Sequence, residues 1–294
     1  MKGYFLGISW KDQNTPLLNI KEEETQLIKN YYLPKKIKFN NLGHKQCVGY
    51  YNPLNGEYVG CTNEIEENQI QCNSCKYKYE FYKCVRCKGD KCIVKNEVSK
   101  KYCETPHYVY LAYFPNDKIK VGTASEPRKE VRLLEQGALD YIYIAHAPNG
   151  RIARAIESEI ARMGVPTMVT TMYKMKNLLG YIKDKDCINI KLKDAYDFIT
   201  NNISPLNRKF IINREHKHYT FIKNNIELQL GNISPEIIEV KDFPTVDILF
   251  VLGKIIGINN DGIKLIDTKK LEGYLFDFGN EKLQNYEEGL LTRE

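Results

Sequence analysis

No stretch of the sequence approaches the roughly 20 consecutive apolar residues that a membrane-spanning helix requires. The longest apolar tract, Val246 to Ile258, is interrupted by Asp247 and Lys254 and reads as strands. The opening residues, MKGYFLGISWKDQ, hold too short an apolar stretch for a secretory signal and no small-residue cleavage site. These absences lead to the expectation of a cytoplasmic protein with no membrane partner. Tandem repeats and low-complexity tracts are also missing. With 43% hydrophobic and 27% charged residues the balance is that of a globular protein, which excludes wholesale disorder. At 294 residues the chain is too long for one compact core, so two or three domains are expected.

What is abundant is cysteine, tyrosine and positive charge: nine cysteines, 21 tyrosines and a formal charge of +6. Eight cysteines fall between Cys47 and Cys103, and Cys187 alone lies outside. In a reducing compartment such clustering points to metal ligands rather than disulfides. Cys72-x2-Cys75 and Cys84-x2-Cys87 are knuckle pairs, each offering tetrahedral zinc two thiolates from one tight turn. The simplest division is sequential, with Cys47, Cys61, Cys72 and Cys75 on one structural zinc and Cys84, Cys87, Cys92 and Cys103 on a second. An interleaved pairing, His107 in place of one cysteine, and an iron–sulfur cluster are the alternatives. With four protein ligands per metal neither site has an open position for catalysis. Cys187 reads as a small buried hydrophobe.

The positive charge lies in the front and middle of the chain. Residues 1–106 carry +5, 107–183 carry +4 and 184–294 carry −3. Around the knuckles, KYKYEFYKCVRCKGDK alternates cations with rings. Lys76, Lys78, Lys83, Arg86 and Lys88, with Arg128 and Arg154 further on, form a candidate nucleic-acid surface, cations on phosphates and rings under bases. The competing reading makes Tyr77, Tyr79 and Phe81 one face of a strand packed on the zinc sites. Eight thiolates and two zinc ions together remove four charges, leaving +2, so whole-chain charge is a poor guide and local clusters must carry the argument.

Pattern and punctuation divide the chain into a β-rich segment (1–46), a two-zinc module (47–106), a βα core (107–183) and a β-rich domain (184–294). Lys2–Trp10 and Lys36–Asn41 read as strands flanking a helix-like Lys21–Tyr32. Tyr108–Phe114 and Lys118–Gly122 read as a hairpin turned at Pro115-Asn116-Asp117. Glu126–Gln136 follows as a helix with Ser125 as N-cap and Gly137 as its stop, then a strand Leu139–Ala147. A second helix runs from an Asn149 or Gly150 cap to Met163, and a third covers Thr170–Ile182. A strand Cys187–Ile190 and a helix Lys193–Asn201 lead into Phe210–Asn213, His218–Lys223, Ile226–Leu230, Ile237–Val240, Ile248–Gly257, Ile263–Asp267 and Gly273–Phe278, all read as β. The expected fold class is therefore α+β: a zinc-knuckle module, a three-stranded sheet with helices, and a barrel or sandwich shared by the two termini.

Residues 107–163 place Tyr110 in the first strand, Lys120-Val121-Gly122 in the second, Arg132-Leu133 in a helix and Ala153-x3-Glu157-x2-Ile160 in the next. This order resembles the GIY-YIG nuclease superfamily, with Tyr108-Val109-Tyr110 and Lys120-Val121-Gly122 standing where its two short tyrosine motifs would. The first motif lacks its glycine, Lys120 replaces the second tyrosine, and Gln136 stands where a histidine is usual. Residues 41–163 also resemble an uncharacterised prokaryotic family known only as a domain of unknown function. The marks are Cys47-Val48-Gly49-Tyr50, the knuckles, Cys103-x3-His107-x2-Tyr110-Leu111-Ala112, Lys120-Val121-Gly122-Thr123 and Glu135-Gln136-Gly137-Ala138.

The nuclease resemblance implies hydrolysis of DNA or RNA phosphodiesters, with Mg²⁺ or Mn²⁺ at Glu157, Arg132 on the phosphate, and Tyr110 or Lys120 activating water. Arg128 competes with Arg132, Glu159 with Glu157, and His107 or His146 can substitute as base. At ~100° per residue Ile152, Ile156, Ile160 and Met163 form one stripe, with Glu157 at its edge beside Arg154. The alternatives to a nuclease are a non-catalytic zinc protein on RNA or the ribosome, and a protein-interaction scaffold.

Overall fold

The computed structural model describes residues 1–181, 185–231, 233–239, 242–279 and 283–286. Four strands open the chain: β1 (Lys2–Asp12), β2 (Thr15–Glu22), β3 (Ile28–Tyr32) and β4 (Lys36–Lys45). The cysteine-rich segment follows, with β5 (Tyr50–Tyr51), β6 (Tyr58–Val59), α1 (Asn73–Tyr77), α2 (Phe81–Val85) and α3 (Glu97–Glu104). The βα core comprises β7 (His107–Phe114), β8 (Lys118–Ser125), α4 (Lys129–Glu135), β9 (Asp140–Ala147), α5 (Gly150–Arg162) and α6 (Thr171–Lys176). Then come α7 (Lys185–Asn202), α8 (Pro205–Arg208), β10 (His216–His218) and α9 (Thr220–Leu230). The chain closes with β11 (Glu236–Ile237), β12 (Phe243–Leu252), β13 (Ile255–Asn259), β14 (Ile263–Asp267) and β15 (Tyr274–Asp277).

Among the described residues nine strands form one open sheet in the order β11-β14-β13-β12-β4-β15-β1-β2-β3, antiparallel except for β11 on β14. The expected sharing of strands between the termini is present, but as an open sheet and not as a barrel. Strand β4 is the join, pairing with β12 on one side and β15 on the other. Phe39 on β4 meets Phe5, Phe276 and Phe278 edge-on at 6.0, 5.1 and 5.4 Å.

A second sheet, β10-β9-β7-β8, carries the core segment. It has four strands, not the three expected, because His216–His218 pairs with β9. Its central strand reads almost continuously apolar because both its faces are buried. Val109, Leu111 and Tyr113 pack with Ile156 and Ile160 of α5 and Ile188 and Leu192 of α7. Tyr110, Ala112 and Phe114 face the other way, into a core shared with α4, α6, α9 and the nine-stranded sheet. The molecule is thus layered: large sheet, helices, small sheet, helices.

Asn116 and Asp117, both at positive φ, turn the β7–β8 hairpin as expected. Asn149 caps α5 by accepting from the Ile152 N–H at 2.9 Å. The Thr170 cap of α6 is likewise formed, through the Tyr173 N–H. Ser125 occupies the N-cap position before Glu126–Arg128 without a side-chain capping bond, its Oγ accepting instead from the Tyr102 hydroxyl, and Gly137 follows α4 at φ +65°. Ile182 lies outside the described residues.

Several sequence expectations fail for one reason, a mistaken period. Cys187–Ile190 is helical, since Ile188, Leu192 and Ile199 recur at helix spacing and are buried together. Ile222, Ile226 and Leu230 do the same in α9, where two strands were expected. In Phe210–Asn213 only Ile211 forms an isolated bridge, to Ala145. Lys21–Tyr32 is not a helix but a β2–β3 hairpin reversed through Gln26 at φ +56°. Tyr77, Tyr79 and Phe81 lie on and between two short helices instead of along a strand. Cys187 is exposed rather than a buried hydrophobe.

The close approach of β7 and β8 has one strict requirement. A Cβ on Gly122 would lie 2.4 Å from the Tyr110 hydroxyl and 2.5 Å from its Cζ. Gly122→Ala is therefore expected to cost about 1–3 kcal/mol in a denaturant titration. Tyr110→Leu in the same chain should recover part of that loss.

Candidate functional site

Strand β4 runs straight into the first cysteine group. One ligand atom from each of Cys47, Cys61, Cys72 and Cys75 lies within 4.8 Å of the others, a four-cysteine group able to hold a metal ion. Among the described residues this is the one such group. Backbone amides are aimed at its sulfurs: Gly49 N–H and Cys72 N–H donate to Cys47 Sγ at 3.3 and 3.2 Å, and Asn63 N–H to Cys61 Sγ at 3.5 Å. Hydrogen bonding from the Cys75 amide, with help from Asn63, pulls the Cys72 thiol down to about 6, whereas burial pushes Cys47 and Cys75 up. Four thiols packed this closely shed all their protons only when a divalent cation compensates them.

Beside them stands a residue that pattern reading missed. Lys21 of β2 is buried at 1% exposure, and its Nζ donates to Gln46 Oε1 and to the Cys61 carbonyl, each at 2.6 Å. Zinc on four thiolates carries a net charge of −2, and a buried ammonium is a fitting counter-charge. No local signal marks Lys21, because nothing in its neighbourhood shows that strand β2 will meet a loop 40 residues away.

Cys84, Cys87, Cys92 and Cys103 are not gathered in the same way. They line a cavity of about 510 Å³, together with His107. Gly89 at φ +82° donates its N–H to Cys87 Sγ at 3.4 Å, repeating the Cys47–Gly49 turn. Burial and the neighbouring Cys103 and Cys87 push the Cys84 thiol up to about 11. The His107 ring is buried, with Nδ1 2.7 Å from the Thr105 carbonyl.

The four catalytic-looking residues lie on β7, β8, α4 and α5, and Arg132 and Glu157 act electrostatically on both Tyr110 and Lys120. Tyr110 is 1% exposed, and its hydroxyl accepts from Gln136 Nε2 at 2.6 Å. Burial holds the phenol protonated, with Arg132, the Gln136 bond and Arg154 acting the other way. Lys120 is buried, and burial, then Arg132 and Lys174, bring its ammonium down to about 8 against the attraction of Glu157. Lys174 is similarly lowered to about 8, chiefly by burial, and donates to the Gln136 carbonyl at 2.7 Å.

Glu157 sits at the edge of the α5 stripe with its side chain 12% exposed, ion-paired to Arg154 at 2.6 Å. Its competitor Glu159 is committed elsewhere: its carboxylate accepts from Ser204 N–H at 2.7 Å and Asn207 Nδ2 at 2.5 Å, tying down α8. Arg128 is paired with Glu135 at 2.7 Å, while Arg132, 3.7 Å from the same carboxylate, has a side chain 48% exposed. His146 is stacked on Tyr108 at 4.4 Å, away from this group's hydrogen bonds.

A family model described as a protein of unknown function, DUF2797, matches residues 34–221, just under two thirds of the chain. The chain belongs to this family. No curated protein and no solved structure matches it. The DUF2797 stretch runs from β4 to the start of α9. It therefore contains both cysteine groups and the whole cluster around Lys120, whereas β1–β3 and β11–β15 lie outside it.

Within the DUF2797 stretch the proposed phosphate-binding cations separate into two sets. Lys76, Lys78, Arg86 and Lys88 are exposed on the cysteine-rich segment. Lys83 is held by Glu80 at 2.5 Å, Arg128 by Glu135 and Arg154 by Glu157. Among the described residues no helix is long and apolar enough to cross a membrane.

The four-sulfur group makes a direct prediction. The purified protein should carry tightly bound metal, and Cys72→Ser should lower the content by one ion per chain in native mass spectrometry. Retention of the full metal content would overturn the ligand set.

Proposed function

We propose that this chain is a nuclease-like protein acting on phosphodiesters of DNA or RNA, built around Lys120, Arg132 and Glu157 with Tyr110 as a positioning residue. The observation that carries the reading is that Arg132 of α4, with an accessible side chain, and Glu157 of α5, with a largely buried one, both act electrostatically on buried Lys120 of β8. The hairpin–helix–strand–helix order of these residues, which resembles the GIY-YIG nucleases, supports it.

Arg132 donates charge-assisted hydrogen bonds to a phosphate oxygen. Lys120, neutral above pH 8, accepts a proton from the attacking water. Tyr110, protonated and bonded to Gln136, braces the floor of the site. Glu157 would hold a divalent ion in place of its pair with Arg154. Mg²⁺ or Mn²⁺ there would supply Lewis-acid polarisation of the phosphate and charge compensation at the leaving oxygen.

The second cysteine set completes the proposal with a second structural zinc. Supporting it are the repeated Cys–x–Gly turn, the shared cavity and the backbone N–H of Arg151, which bonds Cys103 at the start of α5. Metal here would fasten the cysteine-rich segment to the helix that bears Arg154 and Glu157.

A second reading, a non-catalytic zinc protein on RNA or the ribosome, is favoured by the Glu157–Arg154 pair and the sealed Tyr110 hydroxyl, since both groups are already satisfied.

The two readings separate in one experiment. With Mn²⁺ the nuclease reading expects cutting of DNA or RNA, a fall of about three orders of magnitude in Glu157→Gln, and unchanged structural zinc. Undiminished cutting in that variant sinks the assignment. The rate should rise with pH through about 8 as Lys120 loses its proton, and Lys120→Met should flatten that rise. Nucleic acid bound with steep salt dependence but never cut would establish the second reading.

A further inference from the structure

Between the cysteine-rich segment and the β8–α4–α5 edge lies a cavity of about 440 Å³, inside the roughly 300–1,000 Å³ range of ligand sites. Its lining combines two chemistries. One is aromatic: Tyr50, Tyr79, Phe81 and Tyr102 form a chain of edge-to-face rings with centroids 5.4, 6.1 and 5.7 Å apart. The other is cationic, with Arg128, Arg132 and Arg154 on the lining. Arg128 also lies over the Tyr51 ring, 5.4 Å from its centroid.

Among the described residues no aspartate or glutamate lines the cavity. Glu135 and Glu157 pair with the guanidiniums without being part of the lining, so the charged side chains on the lining are the three arginines and Lys76, with Cys75 and Cys84 beside them. A ligand suited to this space has a flat π surface and negative charge. In a duplex, base faces are stacked and hidden, so rings of this kind reach only a base that has left the stack.

We infer that this seam binds an unpaired base of a single-stranded nucleic acid, the aromatic rings receiving the base and Arg128, Arg132 and Arg154 its flanking phosphates. The inference rests on the nucleic-acid part of the reading above but not on its hydrolytic part. It deepens that reading by naming the substrate as a single strand. Arg132 and Arg154 belong both to this pocket and to the cluster around Lys120. A strand seated here would therefore lead a phosphate toward Glu157. Three separate guanidiniums suit a chain of phosphodiesters better than the single terminal phosphate of a phosphopeptide.

The test uses the full-length, metal-loaded protein without added Mg²⁺ or Mn²⁺, so that nothing is cut. Fluorescence anisotropy compares a 12-nucleotide oligo-dT, an abasic deoxyribose-phosphate strand of the same length, and a 12-base-pair duplex. Oligo-dT should bind about 5- to 100-fold more tightly than the abasic strand, and more tightly than the duplex. Tyr79→Ala should erase the preference, and Tyr79→Phe, which keeps the ring, should retain it. Arg132→Ala should weaken both strands alike and reduce the salt slope by about one.

Equal affinity for oligo-dT and the abasic strand, a preference for duplex, or displacement by phosphotyrosine alone would overturn the pocket. So would a preference that persists in a folded Tyr79→Ala protein. If base-dependent binding is found without any cutting under Mn²⁺, the hydrolytic reading falls and the pocket stands. If cutting occurs with no base dependence, the pocket falls alone.

Discussion

Burial of β7 on both faces is the constraint on which the rest of the molecule depends. One face needs α5 and α7, the other needs α4 and the nine-stranded sheet, and neither can be removed without exposing a row of large apolar groups. Because β7 is fixed from both sides, its neighbour β8 is fixed too, and with it Lys120 and Gly122. Lys120 therefore lies on the edge strand of the small sheet, buried beside core residues Val121 and Ala124. Its environment follows from that position. Lys120 is deep enough to lose solvation, whereas Arg132 remains accessible.

How much of this was legible in the sequence depended on how local the deciding interactions are. The β7–β8 hairpin, the α5 cap and the α5 stripe are specified within about 15 residues, and all are present. The first turn of α7 and the whole of α9 read as strands although their periodicity is also local, because short apolar triplets look like strands until the i, i+4 recurrence of Ile188 with Leu192 and of Ile222 with Ile226 is weighed; the rest of α7 is helical as Lys193–Asn201 suggests. Spacing pointed to the four-cysteine group at Cys47 without excluding an interleaved pairing, and by the same rule to a second group of four that is not gathered among the described residues. Lys21 was not, and neither was Gln136 as the partner of Tyr110, because both contacts join segments whose meeting is decided by the tertiary fold. The open sheet was legible in its strands but not in its closure: β11 and β3 end far apart in the strand order, so no barrel forms.

The arrangement of charge also explains why the net value of +6 says little. The arginines at the seam are held by carboxylates on their far side, Glu135 for Arg128 and Arg132, Glu157 for Arg154. Such pairs cancel in any count of charges, yet each one orders a long side chain and leaves its remaining N–H groups directed elsewhere. The cysteine-rich segment contributes in the opposite sense, since metal binding there converts neutral thiols into anions and Lys21 stands ready to compensate.

Strand β4 pairs with partners some 200 residues further along, Ile37 with Val246 and Asn41 with Phe276. During synthesis the cysteine-rich segment and the small sheet emerge while β4 still lacks both of its neighbours. The nine-stranded sheet can close only when the last strands leave the ribosome, so the DUF2797 stretch must spend much of translation with one flank of its sheet unprotected. Ribosome-bound chains of increasing length would therefore acquire metal before they acquire protease resistance at β4, an order of events written into the register of a single strand.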